Sequence, residues 1–384
     1  MDSISFIIYD SAQQLPEDWD DCSGGNIFLS RAYFKALENN GPDNMRCRFV
    51  GFFKEGMLCG VLLSQFLDLN RLESFGERDH CLKTTVRNFI FRKFASHVLF
   101  IGNNMLTGQN AFRFRDDISP NEYLSAIAKA TQALQAVFKK QGVRVHITSI
   151  KDFLPWELAT LKAVFEGYVT FSTQPNMVFH IPERWASIDD YVGELTKKYR
   201  DQFKRSHKRA DGIEKRKMKC EDIERFESEI DELYRHVARN APFNTFFLRK
   251  GHFAELKRCL GDRFHFYGYF LNDRLVGFNT LIRNGSAMDT YFLGYDEDIQ
   301  KEKMLYLNML YDMVAYSIRK GFRTVVFART ALEIKSSVGA EPVEMFGLIQ
   351  HSNPLINPFL NRIFKALEPK TEWQQRHPFK TATD

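Results

Sequence analysis

The chain has 384 residues, 44% of them hydrophobic, with 53 Lys and Arg against 48 Asp and Glu. That length exceeds one ordinary core and suits two domains of about 150–200 residues each. No apolar run is long enough to span a bilayer, the richest (304–318) being interrupted by Asn308 and Asp312, and the start MDSISFIIYD lacks the basic and apolar regions of a secretion signal, so a cytoplasmic protein is expected.

Ser30 is placed to cap a short helix over 31–39, and a hairpin turning at Lys54–Gly56 follows. Residues 97–102 (HVLFIG) read as a buried strand. Ser119-Pro120-Asn121-Glu122 combines a capping residue, Pro at the first helical position and Glu to close the box, so a helix should run to about Lys140 and stop at Gly142. A strand over 143–149 comes next. The second half repeats the order: helices over about 221–240 and 250–260, a hairpin over 264–283, a strand over 287–294, a long helix over 303–319, and a strand over 322–328. The tail, with Pro354, Pro358 and RHPFK, is expected to wrap the second half. Six cysteines (Cys22, Cys47, Cys59, Cys81, Cys220 and Cys259) lack any paired spacing and read as structural, and the ten histidines form no zinc pattern, so no metal is expected.

The two halves share more than order. FVGFFKEGMLCG at 49–60 returns as FYGYFLNDRLVG at 266–277, with Phe49, Gly51, Phe53, Leu58 and Gly60 matched by Phe266, Gly268, Phe270, Leu275 and Gly277. A hairpin, a further strand, a helix and a strand make a mixed α/β unit. One fold used twice, over 1–175 and 176–384, is the reading this favours.

The charge is concentrated in KKYRDQFKRSHKRADGIEKRKMK, residues 197–219, where 11 of the 53 basic residues fall against three acids. Tyr199, Phe203, Ala210 and Ile213 share a helical stripe, which turns Lys204, Arg205, Lys208 and Arg209 outward or into a cleft. A solvated face, a phosphate-bearing small molecule or lipid headgroup, and nucleic acid all fit such a helix. The run has no interleaved aromatic platform and no duplex-reading motif, so DNA is not expected, while a tRNA acceptor end stays compatible.

That basic segment, the hairpin–strand–helix over 264–319 and the closing ARTALEIKSSVGAEPVEMF together resemble the tandem GNAT (Gcn5-related N-acetyltransferase), FemABX-like acyl or aminoacyl transferases, especially bacterial N-acetyltransferase-like members. The resemblance implies an α/β fold of two tandem GNAT-like lobes, each a mixed twisted sheet flanked by helices, the first lobe degenerate. It implies an N-acyltransferase with an activated donor, acyl-CoA, acyl carrier protein or aminoacyl-tRNA, and an amine acceptor, either a small molecule or a lipid or cell-wall precursor reached without a transmembrane segment. Peripheral membrane contact is compatible with such acceptors. It also makes Asp289–Gly294 the donor-binding strand and starts the phosphate-binding helix near Lys303, so that Gly294, Lys301, Lys303, Met304 and Asn308 fall on the cofactor side. The segment Gln300-Lys301-Glu302-Lys303-Met304-Leu305 departs from the glycine-rich phosphate loop of simple GNAT proteins, and Lys335 stands where many place a tyrosine. No long heptad run for a helical arm is present. A catalytically inactive pair that binds an anionic ligand is the non-enzyme alternative.

Amine attack on an acyl donor needs a base for the ammonium proton and donors at the developing oxyanion. Asp289 and Tyr291 alternate onto one face of a strand, and Glu333 and Lys335 open a helix after the next one. Asp289, Glu333 and Tyr291 are the catalytic candidates; Arg329 and Lys335, with the four cations of the basic run, are the substrate-binding ones. A wet strand face for Asp289 and a surface position for Glu333 and Lys335 are the plainer alternatives. Neighbouring strands should bring Asp289, Arg329, Glu333 and Lys335 to one cleft.

Overall fold

The structure, a computed structural model, describes residues 4–71, 95–172, 174–240, 244–360, 362 and 373–380; Cys81 lies outside them. Two compact units divide the chain: one holds 1–173, 245–249 and 344–369, the other 174–244, 250–343 and 370–384.

The first unit runs β1 (Ser5–Tyr9), α1 (Arg31–Asn40), β2 (Met45–Lys54), β3 (Met57–Asp68), β4 (His97–Ile101), β5 (Phe112–Phe114), α2 (Pro120–Lys140), β6 (Ile147–Phe153) and β7 (Val169–Ser172). The second runs β8 (Asn176–His180), α3 (Ile188–Glu194), α4 (Lys197–Arg209), β9 (Ile213–Lys217), α5 (Cys220–Arg225), α6 (Glu227–Asn240), α7 (His252–Leu260), β10 (Phe264–Leu271), β11 (Arg274–Asn284), β12 (Ala287–Tyr295), α8 (Glu297–Lys303), α9 (Leu305–Arg319), β13 (Thr324–Ala328), α10 (Leu332–Ser337) and β14 (Glu341–Val343). Strand β15 (Phe346–His351) then joins the first sheet.

The sheets share one plan. The first is ordered β1-β2-β3-β4-β6-β15-β7, with β5 also on β3, and the second β9-β10-β11-β12-β13-β8-β14. All neighbours are antiparallel except β4 with β6 and β12 with β13, each parallel pair joined through helices. The repeated hairpins take the second and third places in both. Phe49 pairs with Leu63, Gly51 with Val61 and Phe52 with Gly60; Phe266 pairs with Thr280, Gly268 with Phe278 and Tyr269 with Gly277, and each register slips at the next residue. Both turns place two left-handed residues between the strands, Glu55 and Gly56 in one, Asn272 and Asp273 in the other, the geometry that matches strand twist. A Cβ on Gly51 would meet the Leu58 and Phe53 side chains, and one on Gly268 those of Leu275 and Phe270, the corresponding residues.

Helix α2 starts as its sequence requires: the Ser119 side chain accepts from the Glu122 amide and the Glu122 carboxylate accepts from the Ser119 amide. It packs on the first sheet through Ile127, Leu134 and Phe138. In the second unit α4 and α9 cover one sheet face, with Tyr199, Leu310, Val314, Met288 and Val325 in the core.

Four expectations are corrected. The basic segment is helical only to Arg209, and its second part is the edge strand β9 on β10, because Gly212 reverses the chain at φ +82°. The helix expected over 303–319 is two, α8 and α9, meeting at left-handed Met304. The strand expected over 143–149 begins at Ile147. The tail does not all wrap the second unit: β15 pairs with β6 and β7, whereas Phe379 packs on Trp185 and Tyr191 of the second. Cys22, Cys47, Cys59, Cys220 and Cys259 form no disulfide with one another.

Candidate functional site

The parallel strands of the second unit part early. β12 pairs with β13 only from Ala287 to Asp289, while β12 itself continues to Tyr295. Its edge beyond Asp289 thus has no strand partner on that side, and the two carboxyl ends form a fork. An irregularity opposite Asn279–Leu281 adds a bulge at Tyr291–Phe292. Left-handed Ala328, Thr330 and Ala331 turn the chain out of β13 into α10 on the other prong.

Asp289 sits at the crotch, 6% exposed. It is not on a wet face: burial raises its carboxyl pKa to about 7, only partly opposed by a hydrogen bond with Asn284. Its Oδ2 has no partner among the described residues. A carboxyl held near neutrality with one open oxygen has the properties asked of a general base.

Two residues on, the Tyr291 hydroxyl meets His252 Nε2 of α7 at 3.1 Å, with the rings stacked at 5.9 Å. His252 is buried. Nothing in GHFAEL singles it out, since a histidine at the start of an amphipathic helix is ordinary, and it is the residue here that sequence reasoning missed. Thr280 Oγ1 donates to the Phe292 carbonyl at 2.6 Å and holds the bulge.

Lys335 reaches the other prong. Its Nζ donates to the carbonyls of Phe327 at 2.6 Å, Ala328 at 3.3 Å and Arg329 at 2.7 Å. Burial pulls its pKa down to about 7. The three acceptors pull the other way, because a neutral amine has only two hydrogens to donate. The amine thereby ties α10 to the end of β13. Arg329 Nε donates to the Gln174 carbonyl at 3.1 Å.

Glu333 points elsewhere. It is half exposed and paired with Arg376, whose guanidinium holds its carboxyl below the usual value. Together they line a pocket of about 400 Å³ between α4 and α10, with Lys198, Tyr199, Gln202, Ile334 and Ser337. Gln202 donates to the Tyr311 hydroxyl at 3.1 Å and Ser337 Oγ at 3.2 Å. Asp289, Arg329, Glu333 and Lys335 therefore do not share one hydrogen-bonded cluster. Glu333 and Lys335, two apart on a helix, diverge onto the pocket and the fork.

The helix expected to start near Lys303 is preceded by α8, whose own start is capped. Asp296 Oδ1 accepts from the amides of Asp298 and Ile299, at 3.1 Å each, and Glu297 and Asp298 fill the first turn of α8. Lys301 pairs with Glu297, and Lys303 donates to the Asp211 carbonyl at 3.3 Å. Asn308 Nδ2 donates to the carbonyls of Ser206, Lys303 and Met304. Gly294 is explained by packing: a Cβ there would lie 2.6 Å from the Leu233 carbonyl carbon and 2.7 Å from the Tyr234 nitrogen of α6. Amides that already serve a carboxylate are not free for a pyrophosphate, so the start of α8 offers no such grip, whereas the start of α9 at Met304 has no side-chain cap.

Lys204, Arg205, Lys208 and Arg209 are exposed on α4, and among the described residues none forms an ion pair. No group of described residues has the composition of a metal site, and no described helix is long and apolar enough to cross a membrane.

Residues 197–336 match the acetyltransferase (GNAT) domain. No curated protein matches by sequence. Among solved structures the chain is similar to FemX, at 12% identity and TM-score 0.50 over 94% of this chain and 100% of that one. It is also similar to the C-terminal domain of a putative lysylphosphatidylglycerol synthetase from Agrobacterium fabrum, at 9% identity and TM-score 0.50 over 91% and 96%. At such identity the likeness concerns the fold.

Proposed function

We propose that the chain, whose residues 197–336 match the GNAT acetyltransferase domain, is a tandem, FemABX-like acyltransferase and that its one working cleft is the β12–β13 fork of the second unit, where an acyl or aminoacyl group passes to an amine. The observation that carries this reading is Asp289, a buried carboxyl with an open oxygen at the point where the strands part. The free edge of β12 offers backbone N–H groups to the developing oxyanion. Asp289 accepts the ammonium proton of the attacking amine, and Tyr291, oriented by His252, lies beside it on the same strand. Lys335 fixes the facing prong. The pocket with Glu333, Lys198 and Arg376 suits a charged or polar part of the acceptor away from its attacking nitrogen. We place the reaction in the cytoplasm, with a small amine or a lipid or cell-wall precursor as acceptor.

The first unit has no equivalent fork. β4 pairs with β6 up to Ile101, its last residue. Beyond it Lys151 Nζ ties down the next loop through the carbonyls of Asn103 at 2.9 Å and Leu106 at 2.7 Å, and pairs with Asp152 at 2.7 Å. We read this unit as a closed partner.

The test is amide formation from acyl-CoA, acyl carrier protein and aminoacyl-tRNA donors over a panel of amines, read by mass spectrometry. Wild type should form amide with one donor class, and Asp289→Asn should lower the rate about 100-fold or more. Equal rates in both proteins, or no amide from any donor, would overturn the reading.

A further inference from the structure

The chemistry of the fork says nothing of what fills the pocket on the other flank of α10. Resting on the acyl-transfer reading, we propose that this pocket binds a carboxylate, the acid group of an amine acceptor whose nitrogen reaches the fork.

Three stretches far apart in the chain build the pocket. α4 supplies Lys198, Tyr199 and Gln202, α10 supplies Glu333 and Ser337, and the tail supplies Arg376. The tail is tied down around that arginine. The Arg376 amide donates to Ser336 Oγ at 3.0 Å, the Pro378 carbonyl accepts from the Thr196 amide at 2.9 Å, and the Lys380 amide donates to the Glu194 carbonyl at 3.0 Å. Phe379 packs on Trp185 and Tyr191, and Gly339 makes room for its ring, since a Cβ there would lie 2.4 Å from Phe379 Cε2. Glu333 then sets the side chain, accepting from both Nε and Nη2 of Arg376. Arg376 is thereby a fixed wall of the pocket.

The unspent groups here are chiefly donors. Lys198 sits over the Tyr199 ring, 5.3 Å from its centre, and forms no ion pair or hydrogen bond among the described residues. Tyr199 is only 6% exposed, yet its hydroxyl has no hydrogen-bond partner among the described residues. Arg376 keeps Nη1. The acceptors are mostly committed. Ser337 Oγ takes the Gln202 amide and donates to the Ile334 carbonyl at 2.7 Å, and Glu333 is matched by Arg376 and the Gln374 amide. An ammonium or hydroxyl end of a ligand would find few acceptors, whereas an anion meets three kinds of donor.

Charge and size narrow the anion. Two cations against one carboxylate leave a single positive charge to be matched. A carboxylate matches it. A phosphate monoester, at about −2 near neutral pH, brings more charge than unpaired Lys198 can meet. The volume, about 400 Å³, lies at the small end for ligand pockets and suits a short acid group better than a nucleotide. Glu333, on this account, is a positioning residue that holds Arg376 for the ligand.

The experiment needs no acyl donor. Ligand-detected NMR titrations of the full chain use linear amino acids from 4-aminobutanoate to 8-aminooctanoate, the same compounds as primary amides, hexanoate, and inorganic phosphate. Wild type is compared with Lys198→Met, Arg376→Gln and Tyr199→Phe, with melting temperatures checked first. At least one amino acid should bind, and its amide should bind at least about tenfold more weakly. Lys198→Met and Arg376→Gln should each erase that contrast and Tyr199→Phe reduce it, whereas a merely structural role would weaken acid and amide alike. Equal binding of acids and amides, no binding of any acid, tighter binding of phosphate, or a contrast kept in the folded variants overturns the proposal. Hexanoate bound as tightly as every amino acid overturns the link to the acceptor. A parallel amide-formation assay separates the two readings. Expected binding with no amide from any donor defeats acyl transfer and leaves the carboxylate site. Amide formed as fast from amines without an acid group defeats the site and leaves acyl transfer.

Discussion

Replacing Asp289 with Asn tests the base assignment through stability as well as rate. In the fold, burial holds this carboxyl at about 7 against an ordinary 3.8. Between those values the native state keeps a proton that the unfolded chain has lost. Stability must then fall as pH rises through this window, the reverse of the behaviour of a salt-bridged carboxylate. The full gap corresponds to about 4 kcal/mol, reached by about pH 8. Asn cannot ionise, so Asp289→Asn lacks this loss, and the stability of the variant relative to wild type should grow by up to about 4 kcal/mol between about pH 4 and pH 8. Urea titrations across that range, followed in the phase that exposes Trp185, a buried residue of the second unit, give the comparison. The same ionisation should appear in turnover, with kcat/KM of the wild type rising through about pH 7 as the carboxylate forms. Parallel stability curves for the two proteins would mean that Asp289 ionises as an ordinary carboxyl in the fold. The physical case for a base poised near neutrality would then be gone.

Gly294→Ala should destabilise the second unit by at least about 2 kcal/mol, because its Cβ meets α6 backbone that cannot rotate away; thermal unfolding reads this directly. Gly51→Ala should cost less than Gly268→Ala, since the nearest atoms lie at 3.2 Å in one hairpin and 2.7 Å in the other, and the two melting temperatures should rank accordingly. Lys335→Met should leave carbonyls of Phe327, Ala328 and Arg329 without a donor and cost about 2–4 kcal/mol, with hydrogen exchange rising over 327–335. Glu333→Gln should raise the KM for the amine with little change in kcat, which a steady-state assay separates from a base role.

What the sequence made legible was periodic or local. The hairpin echo forecast two sheets with the same register because turn residues, aromatic faces and close-packed glycines act within a dozen residues. Ser119 and Glu122 marked a helix start because both partners of the box lie within one turn. Strand β15 was not legible, since what places it between β6 and β7 is pairing with residues far away in the chain. The break at Met304 escaped for a related reason: the apolar spacing runs on through α9, and the interruption shows only as a backbone angle. Of the candidate site, Asp289 could be named from alternation along its strand, but its value depends on burial, which alternation does not report. His252 carried no signal at all, because its partner Tyr291 comes 39 residues later.

The two units show how one scaffold can be open in one copy and shut in the other. Each brings a lysine amine to the carboxyl end of its fifth strand, Lys151 from the strand itself and Lys335 from α10, and each amine is spent on backbone carbonyls. The difference lies in which carbonyls. Lys151 draws in Asn103 and Leu106, from the loop that follows the fourth strand, and so joins the two prongs. Lys335 draws only on residues 327–329 of its own prong, and the fourth strand runs on past Asp289 without a pairing to the fifth. The buried carboxyls differ in the same sense. Asp152 is neutralised by Lys151 at 2.7 Å and accepts from the Gly108 amide at 3.2 Å, which leaves it committed to structure. Asp289 has no such cation and keeps an oxygen open. A carboxyl held near neutrality by burial can take a proton during a reaction. On the proposed reading, the asymmetry between the units follows from where one amine finds its acceptors.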